Sequence, residues 1–128
     1  ASERNDGIAY AKSKGVRIAY SEPCFEYWLL LHEASGYTTA QMARCGDVEP
    51  HLKRAFGWIE YSKNSRECRK LMEPLVSKEA IWTAIAGTER CRNHHEGAGT
   101  AFPANPSTDV DQLIRAIDEA VPKANKLL

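Results

Sequence analysis

Three short stretches carry residue types that could do chemistry. The first, SEPCFEYWLLLH at 21–32, runs from a strand-like segment into an apolar helix. Ser21 places a hydroxyl at that junction, where the first free backbone N–H groups of a helix favour an anion. Glu26 is the unusual member, because it stands inside the most apolar helix of the chain. A carboxylate buried there is costly unless it is paired or holds a cation. The same spacing fits a plainer alternative in which Glu22, Glu26 and Glu33 form a solvated stripe. His32 suits either a ligand or base, or a helix-end histidine satisfied by its own backbone.

The second stretch is Tyr61-Ser62-Lys63, followed by Arg66, Arg69 and Lys70. A tyrosine and a lysine two apart point the same way on extended backbone. Together they could stack on a base and neutralise a phosphate. Arg66, Arg69 and Lys70 share one helix face by their i, i+3, i+4 spacing. The alternative is a solvated basic face beside a core tyrosine. The third stretch, NPST at 105–108, reads as a turn and a helix cap; alternatively, Asn105 and Thr108 aim a helix start at an anion or at the first stretch.

Other chemistries lack their signatures. No phosphate-loop, dinucleotide-binding, HExxH or GxSxG pattern is present. The 17 basic residues balance 17 acidic ones, which argues against binding nucleic acid or anionic membrane by bulk charge alone. No stretch approaches the ~20 apolar residues of a membrane span, and the first ten residues lack the apolar core of a secretory leader. Four cysteines, at 24, 45, 68 and 91, permit two disulfides in three connectivities, but none forms a CxxC pair. Cys91 with His94 and His95 makes half a metal site at most. The chain therefore reads as a cytoplasmic protein with no membrane partner, its thiols reduced and Cys24 in the core.

The elements that must position these residues follow from periodicity and caps. A polar helix over 1–13 keeps Ile8, Tyr10 and Ala11 inward, Gly15 ends it, and 16–20 alternates like a strand. Pro23 opens a helix over 24–33, apolar around most of its circumference and so buried on more than one side. Thr38 or Thr39 caps a short helix over 40–44, Asp47 one over 48–55, Ser65 one over 66–73 and Ser77 one over 78–92. A loop fills 93–107. Thr108 caps the last helix, whose apolar stripe is Val110, Leu113, Ile114, Ile117 and Val121. The fold class is α/β and helix-rich, one domain over 1–128 with few short strands and five or six helices. A helix feeding a strand is the second half of a β-α-β unit, so the chain is expected to be a piece that lacks the preceding strand.

Taken together, the three stretches resemble the RloB-like family, which includes the AbiLii abortive-infection proteins. Its pattern reads S-N-P-C-F-E-x-W-L-L-L-H, then Y-x-K, then N-P-S-T ahead of an amphipathic helix. Here the matches are SEPCFEYWLLLH at 21–32, YSK at 61–63 and NPSTDVDQLI at 105–114, in the same order. Glu22 departs from the pattern's asparagine, which removes a donor and adds a carboxylate that could be a further metal ligand. The resemblance implies a bacterial protein of restriction–modification or phage-defence operons. It implies a TOPRIM-like fold, in which a glutamate and an Asp-x-Asp pair hold Mg²⁺ for phosphoryl transfer on DNA or RNA. In the family that acidic pair lies upstream; Asn5-Asp6 is no substitute, so no metal site is expected within these residues. The implied function is a Mg²⁺-dependent nuclease in the full-length protein, with Glu26 orienting metal or water, Lys63 stabilising phosphate charge and His32 donating a proton. Ser21, Tyr61, Arg66, Arg69, Lys70, Asn105 and Thr108 would contact nucleic acid. The competing reading is a non-catalytic module that binds nucleic acid or a protein of the same defence operon.

Overall fold

The computed structural model describes residues 2–128. The core gathers around one short helix, α2 (Glu26–Leu30), because almost its whole circumference is apolar. Tyr27, Trp28, Leu29, Leu30 and the following Leu31 are all buried. Helix α3 (Glu49–Phe56) packs on one side through Val48 and Leu52. On another lies the long helix α5 (Lys78–Ala98), through Ile81, Ala84 and Ile85. The turn at Ala34–Gly36 folds back so closely that a side chain on Gly36 would run into the Leu30 carbonyl. Helix α2 is shorter than the expected 24–33 span, and Phe25 faces solvent rather than the core.

Helix α1 (Ser2–Ser13) forms as read, but its inner face is only partly covered: Ile8 and Ala11 are half-buried and Tyr10 is 67% exposed. Residues 16–20 make no strand. The alternation is there, but among the described residues only its last member, Tyr20, finds a backbone partner across the small sheet. Strand pairing starts one step later, where β1 (Ser21–Glu22) meets β2 (Ser107–Thr108) antiparallel, with Ser21 opposite Thr108 and Glu22 opposite Ser107. The Asp109 N–H donates to the Tyr20 carbonyl at 2.7 Å and extends that pairing. The described residues thus show a helix-rich α/β fold with one small antiparallel sheet and six α-helices.

Two expectations fail for long-range reasons. The segment 40–44 is not helical; the Thr38 hydroxyl accepts from the Ala40 N–H in a local turn. Its backbone is claimed by Asn105, whose side chain accepts from the Met42 N–H (2.9 Å) and donates to the Met42 carbonyl (2.6 Å). A side-chain amide here does the work of a neighbouring strand. Helix α5 continues well past 92, because Thr88, Cys91 and His95 extend its buried stripe beneath the 105–108 corner. Gly99, in the left-handed region at φ 67°, ends it.

The caps are mixed. Ser77 accepts from the Ala80 N–H as expected, whereas Asn64, not Ser65, caps α4 (Ser65–Met72) by accepting from the Arg66 N–H. Asp47 reaches back to the Arg44 N–H instead of forward into α3. Thr108 Oγ1 accepts from the Val110 N–H at 3.2 Å, at the start of α6 (Val110–Ala120). Helix α6 buries Val110 but leaves Leu113 and Ile117 exposed; its inward charged residue is Asp111, held by Arg92 of α5 at 2.9 Å.

Candidate functional site

Glu26 is the first residue of α2 and is 7% exposed, so its charge must be met locally. Lys63 Nζ lies 2.9 Å from Oε1, and the Tyr61 hydroxyl donates to the same oxygen at 3.1 Å. The non-helical segment at 58–64, between α3 and α4, delivers both groups. The plain alternative of a solvated Glu22-Glu26-Glu33 stripe is thus excluded for Glu26. Burial pushes its carboxyl up, but the hydrogen bonds from Lys63, its backbone and Tyr61 outweigh that and hold it below the ordinary 4.5. The hydrogen bond to Glu26 raises Lys63 in return, and burial next to that carboxylate raises Tyr61.

The pair lines a cleft of about 200 Å³ together with Cys45, Gly46 and Glu49. The Lys63 side chain is 71% exposed, so its ammonium is anchored at one end and free at the mouth. Immediately after it, α4 presents Arg66, Arg69 and Lys70 to solvent, with no ion pair to any of them among the described residues. Behind Tyr61 stands an aromatic stack that the sequence reading passed over. Trp58 lies parallel to Tyr61 at 6.0 Å, and Phe56 lies against Trp58 at 4.6 Å. The clustering of aromatics at 56, 58 and 61 was its available signal.

The other proposed residues fall elsewhere. His32 is buried and does not line the cleft. Its Nδ1 faces the Trp28 carbonyl at 3.0 Å, which can only accept, so the proton sits on Nδ1. Burial lowers its pKa and Trp28 meets its ring edge-on; these contacts make it the backbone-satisfied helix-end histidine. Ser21 and Thr108 join their hydroxyls at 2.8 Å across the small sheet. Asn105 is spent on Met42. Thr108 lines a separate, larger pocket of about 390 Å³ with Tyr20, Arg92, His95 and Asp109. The 105–108 corner therefore does not share the Glu26–Lys63 cleft. Glu22 is occupied as well, by Arg4 at 3.0 Å and by the Tyr20 hydroxyl; burial and that contact push Tyr20 up to about 12.

The cysteines depart from the four-thiol reading. Cys24 and Cys45 are bonded, with Cα atoms 5.4 Å apart, and both are half-buried, so Cys24 is not a core residue. Cys68 and Cys91 are free. Cys91 lies under the corner, donating to the Pro106 carbonyl at 3.2 Å and accepting from the Tyr27 hydroxyl at 3.3 Å. His95 also turns to that carbonyl, at 2.7 Å, so the Cys91–His95 group serves packing. Among the described residues, the one group of three side-chain ligands that could surround a cation is Cys24, Glu26 and Cys45, all within 4.8 Å of one another. No described helix is long and apolar enough to cross a membrane.

The described residues thus form a helix-rich α/β domain whose open cleft holds a carboxylate anchored by a lysine. The family model described as RloB-like protein matches residues 1–117, and the chain belongs to that family. No curated protein and no solved structure matches it.

Proposed function

We propose that this RloB-like chain serves phage defence by engaging nucleic-acid phosphodiesters, and that Lys63 in the Glu26 cleft is where a phosphate docks. The observation that carries the reading is the fixed ammonium at the cleft mouth, followed directly by three unpaired cations on α4. Glu26 takes one N–H of Lys63, which leaves the others for phosphate oxygens. Tyr61 steadies the same carboxylate, and Arg66, Arg69 and Lys70 would follow the strand's backbone.

The finer reading is a nuclease using Mg²⁺, in the TOPRIM-like manner of the AbiLii proteins. The residues present do not fit that ion. Mg²⁺ takes oxygen donors in an octahedron, whereas two of the three clustered ligands are sulphurs. Any Mg²⁺ would have to be held by other residues, and what this chain contributes is the phosphate contact and its positioning. The exposed ammonium at the mouth of an open cleft equally fits a second reading, in which the cleft recognises nucleic acid without cutting it.

Incubating the protein with labelled DNA and RNA and Mg²⁺ separates the two. Under the nuclease reading, the full-length protein cuts and Glu26→Gln lowers its rate at least about tenfold. Binding without cutting, lost with Lys63→Ala and falling with salt, supports the recognition reading. Salt-independent binding, or none, overturns both.

A further inference from the structure

The free oxygen of Glu26 leads to a different ligand. Oε1 is shared by Lys63 and Tyr61, while the side-chain group that reaches Oε2 is Cys45 Sγ, at 3.2 Å. In the bonded Cys24–Cys45 pair that sulphur carries no proton, so a buried carboxylate oxygen faces a sulphur lone pair. A buried anionic oxygen aimed at two sulphurs, in a cleft open to solvent, is a cation site in all but its oxidation state.

We infer that the reduced chain binds one thiophilic divalent cation of the zinc class through Cys24 Sγ, Cys45 Sγ and Glu26 Oε2. Two thiolates and a carboxylate suit zinc in kind. Tetrahedral zinc at its usual bond lengths spaces two sulphurs ~3.8 Å apart. The 5.4 Å between the Cα atoms lets the side chains reach that spacing once the bond between them is broken. The fourth position faces the cleft and is left to water. One zinc, two thiolates and one carboxylate leave a single negative charge, which Lys63 balances from the far side of Glu26.

The exchange of states balances. Two molecules of a monothiol deliver two electrons and two protons to the disulfide and leave as their own disulfide. Zinc then displaces the two cysteine protons and occupies both sulphurs. Disulfide and metal are mutually exclusive, so oxidation would expel the cation. The inference does not rest on the nucleic-acid reading, and its test contains no nucleic acid.

The test is anaerobic titration of the phosphine-reduced 128-residue chain with zinc against a chromophoric chelator, with cobalt as a spectroscopic stand-in. The expected result is about one zinc per chain with up to two protons released, and a thiolate-to-cobalt charge-transfer band beside tetrahedral visible bands. Cys24→Ser and Cys45→Ser abolish stoichiometric binding, Glu26→Gln weakens it at least about tenfold, and Cys68→Ser leaves it unchanged. Far-ultraviolet circular dichroism checks that each variant keeps its helices, and the wild-type cobalt spectrum needs no variant at all. The inference is overturned if reduced wild type takes up no stoichiometric zinc, if its cobalt form lacks the thiolate band, or if Glu26→Gln binds as tightly as wild type. Binding that survives Cys24→Ser and disappears with His94→Ala would place the metal elsewhere and overturn it equally.

Discussion

Two of the cavities among the described residues invite opposite readings by size and by chemistry. The pocket beneath the 105–108 corner is the larger, and it holds an arginine, a histidine and a cysteine. Yet each of these groups is spent internally. Arg92 is clamped by Asp111 at 2.9 Å and Asp109 at 3.5 Å, and His95 and Cys91 both turn to the Pro106 carbonyl. In the smaller cleft one carboxylate oxygen is met by Lys63 and Tyr61, while that lysine keeps donors free at the surface. Unspent hydrogen-bonding capacity, rather than volume, separates a place where a ligand can bind from a place where the fold is held shut.

Substitutions should divide along the same line. The largest effect is expected from Arg92→Ala, which strands Asp111 at 2% exposure. It should cost about 3 kcal/mol in denaturant unfolding, with nucleic-acid binding per folded molecule unaltered. A loss of binding at full stability would mean that the larger pocket is the working one. Next comes Asn105→Ala, which leaves the Met42 N–H and carbonyl without partners and should cost about 2 kcal/mol, again without a specific binding defect.

The cleft answers to pH. The Glu26 carboxyl sits below its ordinary 4.5 in the fold. The stability it contributes is therefore complete above that ordinary value, and it drains away as pH falls through the lower, folded one. Glu26→Gln should flatten the acid limb of a stability-against-pH curve, and superimposable wild-type and variant curves would show that the Lys63 contact is not maintained in solution. The smallest effects belong to α4. Removing Arg66, Arg69 or Lys70 singly should leave unfolding unchanged and shallow the salt slope of nucleic-acid binding by about one each.

What the sequence disclosed, and what it hid, follows from the range of the interactions involved. Helix α5 was legible because Ala80, Ile81, Ala84 and Ile85 repeat at helical spacing behind a serine cap. That an acid inside an apolar helix needs a partner was legible, but nothing in the spacing named Tyr61, 35 residues on, and Lys63 as the groups that would supply it. The strand at 16–20 was misjudged, because alternation states a preference and not the presence of a neighbour. The helix at 40–44 was misjudged because the competing interaction comes from a residue 63 positions away. Nothing in the spacing of Cys24 and Cys45 tied them together, since a contact between the residues leading into α2 and the turn at Cys45–Asp47 is a property of the packed fold.

The twin contact between Asn105 and the main chain at Met42 also governs how the NPST stretch should be understood. The amide gives with one arm and takes with the other. Aspartate has nothing to give, and glutamine carries the same group one carbon too far out. Asparagine is thus imposed by architecture, and a mutagenesis screen scored by activity alone would place Asn105 in the reaction centre when its loss had merely untied a seam.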